Sequence, residues 1–170
     1  KKTLGIIGGM GPLATADLFY KILSFTDADC DEEHIHILID NNPKVPDRTK
    51  AVLAGSDEPF AYILKTAKRL EDMGADILLI PCNTSHVYYE RLCESLRVPV
   101  INMIAETARR VAHMGVSKAG LLATSGTLFA RLYDDELEKY GVEAVRPSKA
   151  GQQEIMDMIC EEKVAVVTTG

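Results

Sequence analysis

Asp76-Ile77-Leu78-Leu79-Ile80-Pro81-Cys82-Asn83-Thr84-Ser85-His86 is the stretch that decides the fold. Residues 77–80 are aliphatic without polar alternation, so 76–80 reads as a strand covered on both faces. Pro81 stops it, and the polar run that follows opens a helix over 84–96. Asn83 or Thr84 stands where a side-chain oxygen can cap that helix. Cys82 then falls at the carboxyl end of a buried strand, where free backbone N–H groups and the helix dipole favour negative charge, and so a thiolate. The bland alternative is an inert thiol at the edge of the core. His86, four residues on, shares that side of the helix. It either tunes the thiol or is a satisfied helix histidine.

Strands and helices alternate on either side of this stretch. Strands are expected at 3–8, 34–39, 98–102, 119–124 and 142–145, and helices at 13–28, 58–73, 104–114, 127–140 and 151–162. Nearly all-apolar strands separated by helices give an α/β fold with parallel sheets. In such sheets ligands bind outside the strands' carboxyl ends, which here carry Met10, Asp40, Cys82, Asn102 and Thr124. GIIGGMGP at 5–12 aligns without a gap on GLLATSGT at 120–127. The match implies two related halves facing each other: a first α/β domain at 1–103 carrying Cys82, and a partial second domain at 104–170. On that offset the counterpart of Cys82 falls at about position 197, past Gly170.

The connection 41–57 is long for a compact domain and reads as a lid over the strand ends, the alternative being a loose surface loop. Arg48 within it either clamps a carboxylate with its two-pronged guanidinium or is simply solvated. Asn83, Thr84 and Ser85 either cap only or also hold a carboxylate through backbone N–H groups.

The composition excludes several classes. Of 170 residues, 46% are hydrophobic and 26% charged, enough apolar material for a core and too much for disorder. No apolar run reaches membrane-spanning length, and the N-terminus lacks a signal-peptide pattern, strand-like sequence starting at Leu4. A net charge of −6 argues against a nucleic-acid partner held by phosphate contacts. The four cysteines form no CxxC pair, which points to free thiols and a cytoplasmic setting rather than to disulfides or zinc.

Three weaker signals have bland readings. GMGPLA at 9–14 with Asp40 fits a dinucleotide fingerprint. However, Pro12 removes a phosphate donor, and Asp40 lies farther on than the usual spacing of about 20 residues. The alternatives are a small-anion loop or a tight turn. DADCD at 27–31 has calcium-loop spacing at its start but Glu32 where glycine is required, so a solvated acidic turn is the better reading. His34 and His36 lack a matching ligand set, and no metal site is expected.

GIIGGMGP at 5–12, DNNPKVPDRT at 40–49, PCNTSH at 81–86 and ATSGT at 123–127 resemble the aspartate/glutamate racemase family, in its aspartate racemase branch. The similarity runs over essentially the whole chain. It implies two pseudo-symmetric parallel-sheet α/β domains with the active site between them, a homodimer, an acidic amino acid as substrate, and no pyridoxal phosphate, other cofactor or metal. It implies that Cys82 is one of two cysteines acting on opposite faces of the α-carbon. It implies that Asn83, Thr84, Thr124 and Thr127 help hold the amino-acid head group, with Ser85 beside them, that Arg48 meets the side-chain carboxylate, and that Met10 lines the pocket. Lys163 matches a family lysine near the distal carboxylate, although CEEKVAVV around it departs from the usual pattern. A second cysteine motif does not appear, and Cys160 lies in a helical pattern without that context; the readings are a truncated gene product, a fragment or a protein with another second base, and the first two fit the missing end of the repeat better. Related chemistries with a similarly placed cysteine act on maleate, hydantoins and arylmalonates. A non-catalytic dicarboxylate-binding module is the reading from a different class.

Overall fold

The computed structural model describes residues 2–168, with side chains described as far as Cys160. Its first half runs β1 (Leu4–Gly8), α1 (Pro12–Phe25), β2 (Ile37–Asn41), α2 (Arg48–Leu53), α3 (Glu58–Asp72), β3 (Ile77–Leu79), α4 (Tyr89–Ser95) and β4 (Val100–Ile101). Its second half runs α5 (Met103–His113), β5 (Lys118–Gly120), α6 (Ser125–Phe129), α7 (Leu132–Glu138), β6 (Glu143–Val145) and α8 (Lys149–Thr168).

The first four strands form one parallel sheet in the order β2-β1-β3-β4. Ile6 sits between Ile39 and Leu79 in register. The aliphatic strands fill the core: Ile6, Ile7, Leu78 and Ile80 are fully buried. Pro59 stands in the first turn of α3, and Ile63, Ala67 and Leu70 follow at helical spacing to bury one face against that sheet. β5 and β6 pair in parallel in a separate sheet, over a second cluster of Ala108, Leu121, Ala123, Leu128, Leu137 and Val142. The expected alternation therefore holds, in two sheets.

The chain leaves β1 for β2 on one side and returns to β3 on the other. This order makes the gap between the ends of β1 and β3 a topological switch point, where a crevice forms. Met10 and Cys82 follow those two strands.

Three local expectations are corrected. The connection 41–57 is not a bare loop: it contains α2, capped by the Asp47 carboxylate, which accepts from Lys50 N–H at 3.0 Å, and α2 packs against α6. The helix expected over 84–96 is a 3-10 turn, Thr84–Tyr88, followed by α4. The helix expected over 127–140 is broken at Arg131, which takes a left-handed conformation (φ 55°) between α6 and α7. Nothing in the periodicity of FARLYDDEL announces that break, because a non-glycine residue in this conformation is held by its surroundings and not by propensity. Among the described residues no helix is long and apolar enough to cross a membrane.

Candidate active site

Cys82 lies in the turn after β3, half-buried against the first core. Its N–H donates to the Ile80 carbonyl at 2.9 Å, and its carbonyl lies 2.9 Å from His86 Nδ1. The expected side-chain cap is absent: Asn83 is already helical and makes no capping bond. Both candidate caps are used elsewhere. The Tyr133 hydroxyl donates to Asn83 Oδ1 at 2.6 Å, and the Thr84 hydroxyl meets two threonines of the second half.

Thr84 Oγ1 is 2.8 Å from Thr124 Oγ1 and 2.9 Å from Thr127 Oγ1, and the latter two are 3.1 Å apart. Three hydroxyls thus close a triangle that joins the end of β3 to the turn after β5. Thr124 also accepts from Thr127 N–H at 3.3 Å, capping α6. Each hydroxyl both donates and accepts, so the cluster satisfies itself without charge and can rotate its protons toward an added carboxylate. Gly126 sits under it: a Cβ there would lie 2.9 Å from Thr49 Cα and 3.0 Å from Thr84 Cγ2. The absence of a side chain lets α6, α2 and the Thr84 turn meet.

Thr49 follows Arg48 at the start of α2. The Arg48 guanidinium donates to the carbonyls of Val45 (3.2 Å) and Pro46 (3.1 Å), while its buried Nε–H has no partner. Among the described residues no carboxylate pairs with it. A buried, unpartnered N–H on a half-buried cation is costly unless a ligand acceptor supplies the missing bond.

Two expected residues face the core. Ser85 is fully buried and donates to Met10 Sδ at 3.5 Å, and Met10 is itself buried. They tie the β1 and β3 turns together. Lys163 lies outside the described side chains.

The dinucleotide reading is corrected by geometry. Asp40 is bound by Arg69 at 2.5 Å and is not free for a ribose. A Cβ on Gly9 (φ 91°) would fall 2.2 Å from the Asn42 backbone, and Gly9 N–H donates to Thr15 Oγ1. The glycine turn is filled by the Asn42 backbone and leaves no cradle for a pyrophosphate. Among the described residues no group of three or more His, Cys, Asp or Glu side chains could hold a metal ion. A surface groove of about 620 Å³ along α3 shares no residue with the Cys82 turn.

Sequence reasoning missed Tyr133 and Gln152. The Gln152 amide donates to the Ala123 carbonyl (2.9 Å) and to Ser125 Oγ (3.2 Å), bracing the turn that carries Thr124. Neither residue belongs to a motif. Each acts through a contact across the fold, which spacing along the chain does not reveal.

A family profile described as Asp/Glu/hydantoin racemase matches residues 7–169. The chain is 32% identical over 148 residues to a broad-specificity amino-acid racemase of Bacillus subtilis, covering 84% of this chain and 63% of that protein. It therefore spans less than two thirds of the length of that curated relative. Among solved structures it resembles the aspartate racemase of Picrophilus torridus (TM-score 0.86, 33% identity, 96% of this chain and 69% of that one). It also resembles an aspartate racemase homologue from Pyrococcus horikoshii (TM-score 0.76, 26% identity, 95% and 71%).

Proposed function

The chain belongs to the Asp/Glu/hydantoin racemase family, and from that premise we propose that it serves cofactor-independent racemisation of an acidic amino acid, with Cys82 as an acid/base group at the α-carbon. The observation that carries this reading is the threonine triangle. It brings the turn that carries Cys82 against the Thr124 turn of the second sheet, so that hydroxyls from both halves converge two residues along the chain from the cysteine. Residues 1–103 and 104–170 are read accordingly as two α/β units sharing one site.

The Cys82 thiolate takes the α-hydrogen as a proton. The C–H bond breaks, an S–H bond forms, and the electron pair left on the α-carbon delocalises into the α-carboxylate. Thr84, Thr124 and Thr127, with the Asn83 amide, stabilise that growing charge, being held in place before the reaction begins. A proton returned from the opposite face inverts the centre. Returned by Cys82 itself, after exchange with solvent, it labels the carbon without inversion.

Arg48 sets the preference for an acidic side chain. Its unpartnered Nε–H and the rest of its fork suit a distal carboxylate, and binding there orients the α-carbon against Cys82. The broad specificity in the name of the Bacillus subtilis relative makes neutral amino acids a necessary control. Circular dichroism of D- and L-aspartate, glutamate and alanine with the wild-type protein and Cys82→Ala tests the reading. Loss of optical activity for an acidic amino acid that depends on Cys82 is expected. Tight aspartate binding with no change in optical activity and no α-hydrogen exchange would instead establish a binding module.

A further inference from the structure

Resting on Cys82 as the acid/base group, we propose that His86 is a positioning residue: as its Nδ1–H tautomer it fixes the Cys82 carbonyl with one ring nitrogen and the start of α5 with the other. The tautomer follows from what surrounds the ring. The Met103 backbone N–H lies 3.2 Å from Nε2 and can only donate, so Nε2 is the acceptor. The Cys82 carbonyl, 2.9 Å from Nδ1, can only accept, so Nδ1 carries the proton. Holding that carbonyl holds the plane of the Cys82–Asn83 peptide, and with it the directions in which the thiol and the Asn83 amide leave the backbone.

The other bond reaches across the fold. Met103 is the first residue of α5, and its N–H is one of the helix's four donors without an internal partner. α5 packs on α7, which carries Tyr133, the donor to Asn83. The turn 82–86 is thus tied at three points to the elements from α5 onward: His86 to Met103, Asn83 to Tyr133, and Thr84 to the two threonines. His86 is the one of the three that also holds the cysteine's own peptide.

The ring is buried and stacks on Tyr89, with centroids 6.3 Å apart and 10° between the planes. A cavity of about 350 Å³ beside it is lined by Tyr89 and Glu90 of α4 and by Asp135 and Glu136 of α7, the ionisable groups that face it. Burial favours the neutral ring. An added proton on Nε2 would oppose the Met103 N–H and break the tie.

Two substitutions separate the two bonds. In His86→Asn the amide stands near the place of Nδ1 and can still donate to Cys82. In His86→Gln the amide stands near the place of Nε2 and can still accept from Met103. The readouts are the Cys82 alkylation rate with iodoacetamide across pH 6–9, kcat and KM for α-deuterium exchange of aspartate, and Tm. His86→Gln is expected to lose kcat by about tenfold or more with little change in KM, and to change the alkylation profile. His86→Asn is expected to keep the alkylation profile and lose Tm. Folded variants that both alkylate as the wild type does would overturn the proposal.

If the wild type catalyses no exchange while His86→Gln still changes the alkylation profile, the racemase reading fails and the positioning role stands. Nitrogen-detected NMR of the wild-type imidazole needs no variant: an Nδ1–H ring at neutral pH is expected, and an Nε2–H ring would overturn the assignment.

Discussion

The Tyr133 hydroxyl donates to Asn83 Oδ1 across 2.6 Å, from α7 of one half to the turn that carries Cys82 in the other. With Oδ1 engaged, the Asn83 amide turns its N–H groups away from Tyr133, which fixes their direction. Burial pushes the Tyr133 phenol up from its ordinary value, so it stays protonated and remains a donor through the neutral range.

Tyr133→Phe keeps the ring and removes the donor. The expected result is a rise in KM for the amino acid of about three- to tenfold, with a stability loss of about 1 kcal/mol. Steady-state kinetics and denaturant melts check it. An unchanged KM would mean that the Asn83 amide takes no part in binding.

Gly126→Ala places a methyl group against the Thr49 backbone and Thr84. Because one contact is backbone, neither neighbour gives way easily. The expected cost is about 1–3 kcal/mol, read as a lower Tm, together with lost activity as the threonine triangle is pried open. A variant with wild-type Tm would show that α2, α6 and the Thr84 turn do not meet as described.

Arg48→Lys keeps the charge and loses the fork. Aspartate and glutamate should lose about 10- to 100-fold in kcat/KM, while a neutral amino acid changes little, since on the proposed reading only an acidic side chain meets the guanidinium. Equal losses for both classes would place Arg48 in structure alone.

Acid should loosen the tie at His86. Its proton affinity is lowered from the ordinary value near 6.5, chiefly by burial. As pH falls below about 6.5 the unfolded chain takes up a proton before the folded one does, so stability drops with falling pH and is level above that value. Denaturant melts between pH 7.5 and 5 should show this limb. His86→Gln should remove His86's share of it, and an identical limb in the variant would assign the effect to other groups.

Much of the fold was legible because its signals are local. The aliphatic run at 77–80 and the helical periodicity over 58–73 announce themselves by pattern, and the structure has β3 and α3 there. Cys82 was legible for the same reason: a thiol directly after a buried strand stands out. What stayed hidden depends on distant contacts. Arg131 breaks a continuous helical pattern because the packing of α6 and α7 holds it there. Asn83 and Thr84 look like caps in sequence, but partners forty or more residues away claim their side chains. α2 was read as lid, yet it is a capped helix docked on α6 through a contact that only Gly126 permits.

The central claim is that the Cys82 sulfur exchanges the α-hydrogen of an acidic amino acid. Proton NMR of L- and D-aspartate in deuterated water with the wild-type protein and with Cys82→Ala tests it directly. The account predicts that the α-proton signal decays with the wild type and persists with Cys82→Ala, whose fold is verified by circular dichroism. Decay at an equal rate with both proteins would contradict it.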